Sequence, residues 1–425
     1  MPLALLAAAL VVLVAVAPSP APPPVTDLPP WPSPEAAGLD AAAVKRLVEA
    51  ARATEAAGLV IVKDGRVVVD ERSGPDEPLQ TASVTKSFTG LAIGLLVDEG
   101  KLKSLDQPVS DLFPEWRQGR KRQVTIRHLL NQTSGLQNAP STAVELEEAP
   151  DLVQMALAAE LDAAPGERWA YNNKAVGLLS GVVEKASGQR LDLYLRDRLF
   201  APLGIADTKW VLDPAGHAIG FSGLQLRPRD LARVGELLAA GDEWRGKRIL
   251  SRSWIEASVM APSQPLQADY GLLWWLVGGA ETFGPLIDDR ALATLRKARA
   301  PPEIIAKAAK LKGVVPNSLM DGVQRIEAVF GPGGMETWFR EVRARGVPSA
   351  RRNDGPTVAY AAKGDLGQIL WVSRSAGLVV TCMHAPTERL EAEPEFAQVM
   401  EFPALTSLAA ALLPAGPPQA RTSER

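Results

Sequence analysis

A serine and a lysine three residues apart are the side chains of this chain whose types and spacing most directly suggest chemistry. Ser83 and Lys86 open an apolar run in which Phe88, Leu91 and Leu95 recur at helical spacing. If the helix begins at Ser83, the two side chains share one face, and the serine lies beside unpaired backbone N–H groups. A lysine can accept the proton of a serine hydroxyl once burial and the helix dipole have lowered its pKa. The spacing therefore predicts a nucleophile and its base, although a serine that merely caps a helix also fits so short a motif.

A second candidate segment places a tyrosine and an asparagine just before another helix. Pro165 and Gly166 predict a turn, Tyr171 and Asn173 follow it, and an apolar helical pattern runs on to Gly188. A phenol can relay a proton when a nearby cation lowers its pKa, and an amide can donate to a substrate carbonyl or hold a lysine. Taken alone, the two residues also fit an aromatic packing residue and a helix cap.

Histidine is the usual base for a catalytic serine, so the three histidines of the chain are alternative candidates for the base. They are His128, His217 and His384, and no G-x-S-x-G motif accompanies them. His128 lies in a helical apolar run, where a lone histidine typically forms a structural hydrogen bond. The sequence therefore favours a lysine mechanism over a Ser-His-Asp triad.

The composition limits the classes of function. The chain has 425 residues and a formal net charge of −3, with both signs interspersed, which argues against nucleic acid or a strongly charged partner. Its single cysteine, Cys382, excludes an intrachain disulfide and a cysteine-based zinc site.

The amino-terminal segment indicates export. Residues 3–17 are uninterrupted apolar positions, and nine prolines follow between Pro18 and Pro34. Fifteen apolar residues suit a signal peptide better than a membrane span, so we expect a signal over residues 1–21 and a Pro-rich linker over 22–34. The protein would then be periplasmic or secreted. No Lys or Arg precedes the apolar run, so an uncleaved membrane anchor with a proline tether is the alternative.

With these motifs in their order, the chain resembles the serine β-lactamase and penicillin-binding protein family, closest to its class C-like, esterase-type branch. Ser83 to Lys86 is similar to the family's Ser-x-x-Lys motif, and Tyr171 to Asn173 is similar to its Tyr-x-Asn motif. Further similar segments are residues 128–136, 222–233, 244–251 and 270–275. The resemblance covers most of residues 35–276 and the segment 358–383.

The resemblance implies an α+β fold with a five-stranded antiparallel sheet, flanked by helices and carrying an inserted helical domain. An Asp-Gly turn at residues 64–65 and a second hairpin over 368–383 are compatible with that sheet. Residues 35–100 and 358–414 would form the sheet domain with the nucleophile helix, and 101–276 the helical domain. Residues 277–357 would be a helical insertion, either a surface elaboration or a lid over the cleft.

The activity that the resemblance implies is hydrolysis of a small-molecule ester, amide or β-lactam through an acyl-serine intermediate. Ser83 would attack, Lys86 and Tyr171 would handle the proton, and Asn173 would orient the substrate and Lys86. The backbone amides of Ser83 and of the stretch at Gly364 and Asp365 would hold the oxyanion. No metal or organic cofactor is implied. A carboxylesterase is preferred, and the alternatives are a cell-wall D,D-peptidase or β-lactamase, or a non-hydrolytic penicillin-binding or sensing domain.

The third family motif, Lys-Thr-Gly or a variant, has two possible registers. If Gly364 is the motif glycine, Ala362 takes the lysine's position and Lys363 points to the other face of the strand. A shift by one residue makes Lys363 the motif lysine and loses the glycine. We prefer the first register, because residues 364–368 resemble the Gly-x-Gly-Gly-Gln stretch of esterase-like relatives. The missing cation then argues against a dedicated β-lactamase.

Overall fold

The computed structural model describes residues 28–138, 149–241, 243–259, 264–278, 282–283, 285–316, 319–347, 352–353, 357–386 and 403–413. The signal or anchor predicted for residues 1–21 lies outside this part of the chain. Among the described residues, every helix is too short or too polar to cross a bilayer.

Thirteen strands and thirteen α-helices are labelled here in chain order. The strands are β1 (Gly58–Lys63), β2 (Arg66–Arg72), β3 (Leu79–Gln80), β4 (Lys209–Trp210), β5 (Leu224–Leu226), β6 (Glu243–Trp244), β7 (Lys247–Arg248), β8 (Trp275–Gly278), β9 (Thr282–Phe283), β10 (Arg352–Asn353), β11 (Thr357–Gly364), β12 (Gln368–Ser373) and β13 (Leu378–Met383). The helices are α1 (Ala41–Ala53), α2 (Thr85–Asp98), α3 (Ile126–Leu130), α4 (Leu152–Ala158), α5 (Asn173–Ser187), α6 (Leu191–Leu195), α7 (Pro228–Ala240), α8 (Arg252–Val259), α9 (Asp289–Lys297), α10 (Pro302–Ala309), α11 (Leu319–Phe330), α12 (Gly334–Glu341) and α13 (Pro403–Ala410).

The framework is an antiparallel sheet in the order β2-β1-β13-β12-β11-β8. The predicted α+β class is confirmed, but the sheet has six strands where five were expected. The sixth strand is β8, which pairs with β11 so that Trp275 lies opposite Ala361. Its four residues are too few to show a strand period, and they lie across the predicted boundary between the helical domain and the insertion.

Both faces of the sheet are covered. Leu59, Ile61 and Trp371 face a hydrophobic cluster that also contains α1 and the side chain of Ala409 on α13. The opposite face packs on α7, where a Cβ atom on Gly235 would lie 2.5 Å from a Val379 methyl group. Only a glycine permits so close an approach of helix to sheet. A helix from the predicted helical domain therefore packs directly on the sheet domain.

The helix α2 runs through the middle of the molecule. Each of its residues from Thr85 to Leu96 is buried, which explains why it is apolar around most of its circumference. A Cβ atom on Gly94 would lie 2.4 Å from the indole nitrogen of Trp254 on α8, so this glycine lets the two helices touch. The helix, including its first turn at Thr85, is thus surrounded by packed residues.

Four residues of the predicted linker belong to the folded part. Residues 28–31 run along the outer edge of β2, where Trp31 N donates to Val67 O at 2.7 Å and Val67 N donates to Pro29 O at 2.9 Å. The Trp31 indole also donates to Lys63 O at 2.9 Å. A proline-rich segment is accommodated at a sheet edge because few N–H donors are required there.

The predicted insertion has a core of its own. Its helices α9 to α12 pack around a buried cluster that includes Leu295, Ile304, Ala308 and Trp338. The two-stranded ladder of β9 and β10 lies at its base, between β8 and β11 in sequence. The insertion therefore leaves the sheet from the two strands at one edge, β8 and β11.

Candidate active site

Ser83 and Lys86 are in direct contact. Ser83 lies in a 3-10 turn, Ala82–Val84, which leads into α2, so the α-helix itself begins at Thr85, two residues later than expected. Lys86 Nζ donates to Ser83 Oγ at 2.8 Å and to Phe221 O at 2.9 Å. The turn therefore holds the amine against the hydroxyl in the i, i+3 relation that the sequence predicted.

The environment of Lys86 favours its neutral form. The side chain is 2% exposed, and burial lowers the pKa of Lys86 from 10.5 to about 7. Both of its hydrogen-bond partners are neutral oxygens. At pH 7.5, such a pKa leaves about three quarters of the amine unprotonated, against about one part in a thousand for an ordinary lysine.

Tyr171 completes the group. Its phenol is hydrogen-bonded to Ser83, and its ring centroid lies 4.8 Å from Lys86 Nζ. Burial raises the pKa of Tyr171 to about 12, and the bond to Ser83 opposes this only in part. The phenol is therefore protonated at neutral pH, so the amine rather than the phenolate is the base available beside Ser83.

Gly364 lies directly against the backbone of the serine turn. A Cβ atom at this position would be 2.4 Å from Thr81 O and 2.9 Å from Ser83 N, which no side chain tolerates. The end of β11 thus meets the backbone amide of Ser83, with Asp365 next along the chain and exposed. Two stretches of backbone converge where an oxyanion site would have to lie.

The neighbourhood of the third motif shows what each register would contribute. Ala362 is 1% exposed and belongs to the cluster that contains α2. Lys363 Nζ lies 5.6 Å from the ring centroid of Trp275. The small Ala362 side chain points toward the nucleophile helix, while the Lys363 ammonium lies over an indole at the sheet edge.

Asn173 is placed next to this group but not bonded to Lys86. It is the first residue of α5, whose N-terminus is capped by Asn172. The side-chain oxygen of Asn173 is buried and has no hydrogen-bond partner within the described part of the chain. Phe221 O, rather than Asn173, is the second acceptor for Lys86.

The histidines are engaged elsewhere. His128 Nδ1 lies 3.2 Å from Thr125 Oγ1 in a helix cap, and His217 Nδ1 lies 2.7 Å from Glu184 Oε2. His384 Nε2 lies 3.1 Å from Thr54 Oγ1. Each ring therefore has a structural partner, as the sequence suggested for His128.

An aromatic cluster forms one side of the site and was not identified as such from the sequence. It consists of Trp169, Tyr171, Tyr270 and Trp275. The Tyr171 and Trp275 rings stack with centroids 6.1 Å apart, and Tyr270 contacts Trp275 edge-on at 4.8 Å. Aromatic residues are only 5% of the chain, so their concentration in the segments 169–171 and 270–275 was the available signal.

Within the residues that the structure describes, no group of histidine, cysteine or acidic side chains is arranged to hold a metal ion. The groups brought together at Ser83 are a hydroxyl, a largely neutral amine, a protonated phenol and backbone N–H groups. Such a set can transfer an acyl group through a serine ester.

Comparison with known proteins agrees with this arrangement. The sequence-family model described as Beta-lactamase matches residues 44–393. Esterase EstB from Burkholderia gladioli is 29% identical over 314 residues, which cover 68% of this chain and 72% of that protein. Protein flp from Staphylococcus aureus (strain COL) is 29% identical over 172 residues, which cover 36% of this chain and 34% of that protein. The chain thus matches about a third of the length of Protein flp.

A solved structure shows the same fold at low sequence identity. The penicillin-binding protein homolog from Caulobacter crescentus superposes with a TM-score of 0.54 and is 18% identical, with 87% of this chain and 97% of that chain covered.

Proposed function

The chain belongs to the beta-lactamase family, and we propose that it is a serine hydrolase that cleaves carboxylic esters through an acyl-serine intermediate on Ser83. The observation that carries this proposal is the 2.8 Å contact between Ser83 Oγ and the buried Lys86 amine. A serine hydroxyl beside a neutral amine is an activated nucleophile, whereas a serine beside an ammonium ion is not.

In the proposed acylation step, Ser83 Oγ attacks the ester carbonyl carbon while its proton passes to Lys86 Nζ. The carbonyl oxygen becomes an oxyanion, which the amide of Ser83 and an amide of the backbone after Gly364 stabilise. When the tetrahedral intermediate collapses, the bond to the alcohol oxygen breaks, and the alcohol leaves with the proton that Lys86 returns by way of the Tyr171 phenol. Each oxyanion donor of this kind contributes about 3 kcal/mol at the transition state.

Deacylation reverses the order of events. A water molecule attacks the acyl carbon while its proton passes to Lys86 Nζ. When this second tetrahedral intermediate collapses, the bond between the acyl carbon and Ser83 Oγ breaks, and Lys86 returns the proton to Ser83 Oγ, so that the carboxylic acid and the free Ser83 hydroxyl are formed. Asn173 would orient the substrate in both steps, since its side chain follows Tyr171 by two residues and its oxygen lacks a described partner.

An ester is preferred over a β-lactam or peptide because of the third motif. In the preferred register Gly364 is the motif glycine and Ala362 takes the lysine's position, which brings no charge to bind a substrate carboxylate; the proximity of Gly364 to Ser83 N supports this register. The match to a protein named Esterase EstB over two thirds of the chain supports the same choice.

The test uses the mature protein and p-nitrophenyl acetate. Ser83→Ala and Lys86→Ala should each lose at least a thousandfold in kcat/KM, while His128→Ala keeps most of the activity. Intact-mass measurement with a fluorophosphonate and with a penicillin follows the covalent step. A persistent penicillin adduct without ester turnover would identify a binding domain instead, and hydrolysis of penicillin or of a D-Ala-D-Ala peptide in preference to esters would identify a β-lactamase or peptidase.

We also propose that the protein is exported, on the basis of the apolar segment at residues 3–17. Expression of the full chain followed by fractionation and intact-mass analysis would test this. A processed protein in the periplasm or medium agrees with a cleaved signal, an unprocessed protein in the membrane fraction agrees with an anchor, and an unprocessed cytoplasmic protein contradicts export.

A further inference from the structure

The insertion touches the rest of the protein beside the aromatic cluster of the site. Arg168 Nη1 donates to Ala344 O at 3.1 Å. Arg168 immediately precedes Trp169 and lies three residues before Tyr171, so its Cα atom is within about 11 Å of the Tyr171 Cα atom. Ala344 belongs to the turn Arg343–Arg345 that follows α12. One hydrogen bond therefore ties the insertion to the loop that carries Tyr171.

A longer-range electrostatic effect relates the same turn to the other half of the cluster. The Asp269 carboxylate acts on the Arg343 guanidinium, opposing the desolvation that lowers the pKa of Arg343. Asp269 immediately precedes Tyr270, whose ring lies 5.5 Å from that of Trp169. The turn is thus hydrogen-bonded to the residue that precedes Trp169, and it lies within electrostatic range of the residue that precedes Tyr270.

The helix before the turn presents an exposed aromatic ring. The Arg343 guanidinium lies 5.2 Å from the ring centroid of Phe339 on α12, and this ring is 44% exposed. The core of the insertion is separate from the other two hydrophobic clusters of the described residues. The Arg168 guanidinium is itself held by Asp162, with Nη2 at 3.7 Å from Oδ2.

We propose that the turn Arg343–Arg345 is the outer wall of the substrate entrance, and that Arg168 is a positioning residue that holds this wall and thereby limits the length of the acyl chain. The inference rests on the proposed esterase function. It assigns a short-chain preference to the insertion rather than to the cleft around Ser83. Releasing the wall admits longer chains without changing the base or the nucleophile.

The test compares Arg168→Ala with Arg168→Lys and with a matched control, Arg340→Ala. Arg340 also lies near the turn, but its described ion pairs, with Glu336 at 3.4 Å and Glu341 at 3.1 Å, stay inside the insertion. The readout is kcat/KM for p-nitrophenyl octanoate divided by kcat/KM for p-nitrophenyl acetate. Arg168→Ala should raise this ratio at least fivefold, Arg168→Lys should restore it in part, and Arg340→Ala should leave it unchanged.

Turnover of the acetate ester by the unmodified protein tests the proposed function separately from the wall. An equal fall for both esters in Arg168→Ala overturns the length limit, because a loop that is merely disturbed affects both substrates alike. Hydrogen exchange provides a readout that needs no activity: Arg168→Ala should increase exchange together in residues 165–171 and 334–347. Unchanged exchange in the 334–347 segment overturns the role of Arg168 in holding the insertion.

Discussion

Replacing Lys86 with methionine tests the central electrostatic claim without using any substrate. The folded protein has a pKa of about 7 at this position, and the unfolded chain has the ordinary value of 10.5. Between these two values the unfolded chain binds a proton that the folded protein does not, so the free energy of unfolding rises with pH. Below about pH 7 the buried lysine therefore lowers the free energy of unfolding by the full penalty of its burial, about 5 kcal/mol for a difference of 3.5 between the two pKa values.

Methionine has a similar length, carries no charge and packs well among apolar neighbours, so Lys86→Met should remove this penalty. Integration of the two titrations shows that this penalty decreases by about 3 kcal/mol between pH 6.5 and pH 9.5. The lost hydrogen bonds to Ser83 and Phe221 shift the variant by an amount that does not depend on pH. The difference in unfolding free energy between the two proteins should therefore change by about 3 kcal/mol over this interval, in favour of the unmodified protein at high pH.

Urea denaturation of both proteins at pH 6.5, 8 and 9.5 measures this change, and comparison at equal m-values guards against a change in the unfolded state. Lys185→Met, at an exposed position on α5, controls for the loss of one positive charge. A stability difference between Lys86→Met and the unmodified protein that stays constant across the three pH values would refute the reasoning, because Lys86 would then carry the same charge when folded and unfolded.

Three further predictions concern activity. The value of kcat/KM should rise about tenfold per pH unit below pH 7 and level off above pH 7, because only the neutral Lys86 amine accepts the serine proton. A value of kcat/KM that does not change from pH 5 to pH 8 would contradict this prediction. Gly364→Ala should lower kcat by at least a hundredfold, because the added Cβ atom would clash with Ser83 N and Thr81 O. Gly74→Ala is the control and should have no effect, since the space around Gly74 is open. Equal activities of the two variants would contradict this prediction. Tyr171→Phe should lower kcat by about a hundredfold and leave the pKa near 7 in the pH profile, as followed by initial rates across pH; a loss of that inflection would show that the phenol, and not the amine, sets it.

The family and the fold class could be predicted from the sequence because both depend on short-range patterns. The Ser83 and Lys86 contact requires only one turn of helix, and the hairpin at Asp64 and Gly65 requires only two residues with positive φ, which are 50° and 74°. The family match over residues 44–393 confirms the resemblance that the motifs indicated. The roles assigned to Ser83, Lys86 and Tyr171 in catalysis stay predictions until the variants are measured.

The contacts that could not be predicted come from positions distant in the sequence. The second acceptor for Lys86 is a backbone carbonyl, that of Phe221, and a backbone oxygen leaves no trace in residue type. The sixth strand, β8, is defined by its pairing with β11 rather than by its four residues. The link between Arg168 and Ala344 joins residues 176 positions apart, and nothing in either segment identifies its partner.

The segment at residues 28–31 has a consequence for self-association through the edge of the sheet. An edge strand with unpaired backbone groups can pair with another copy of the same chain. Here the segment that contains Pro29 and Pro30 covers the edge of β2 and offers few backbone N–H donors itself. A shortened protein that starts at Glu35 would uncover the outer N–H and C=O groups of β2. Such a protein should self-associate in a concentration-dependent manner, whereas one that starts at Thr26 should not.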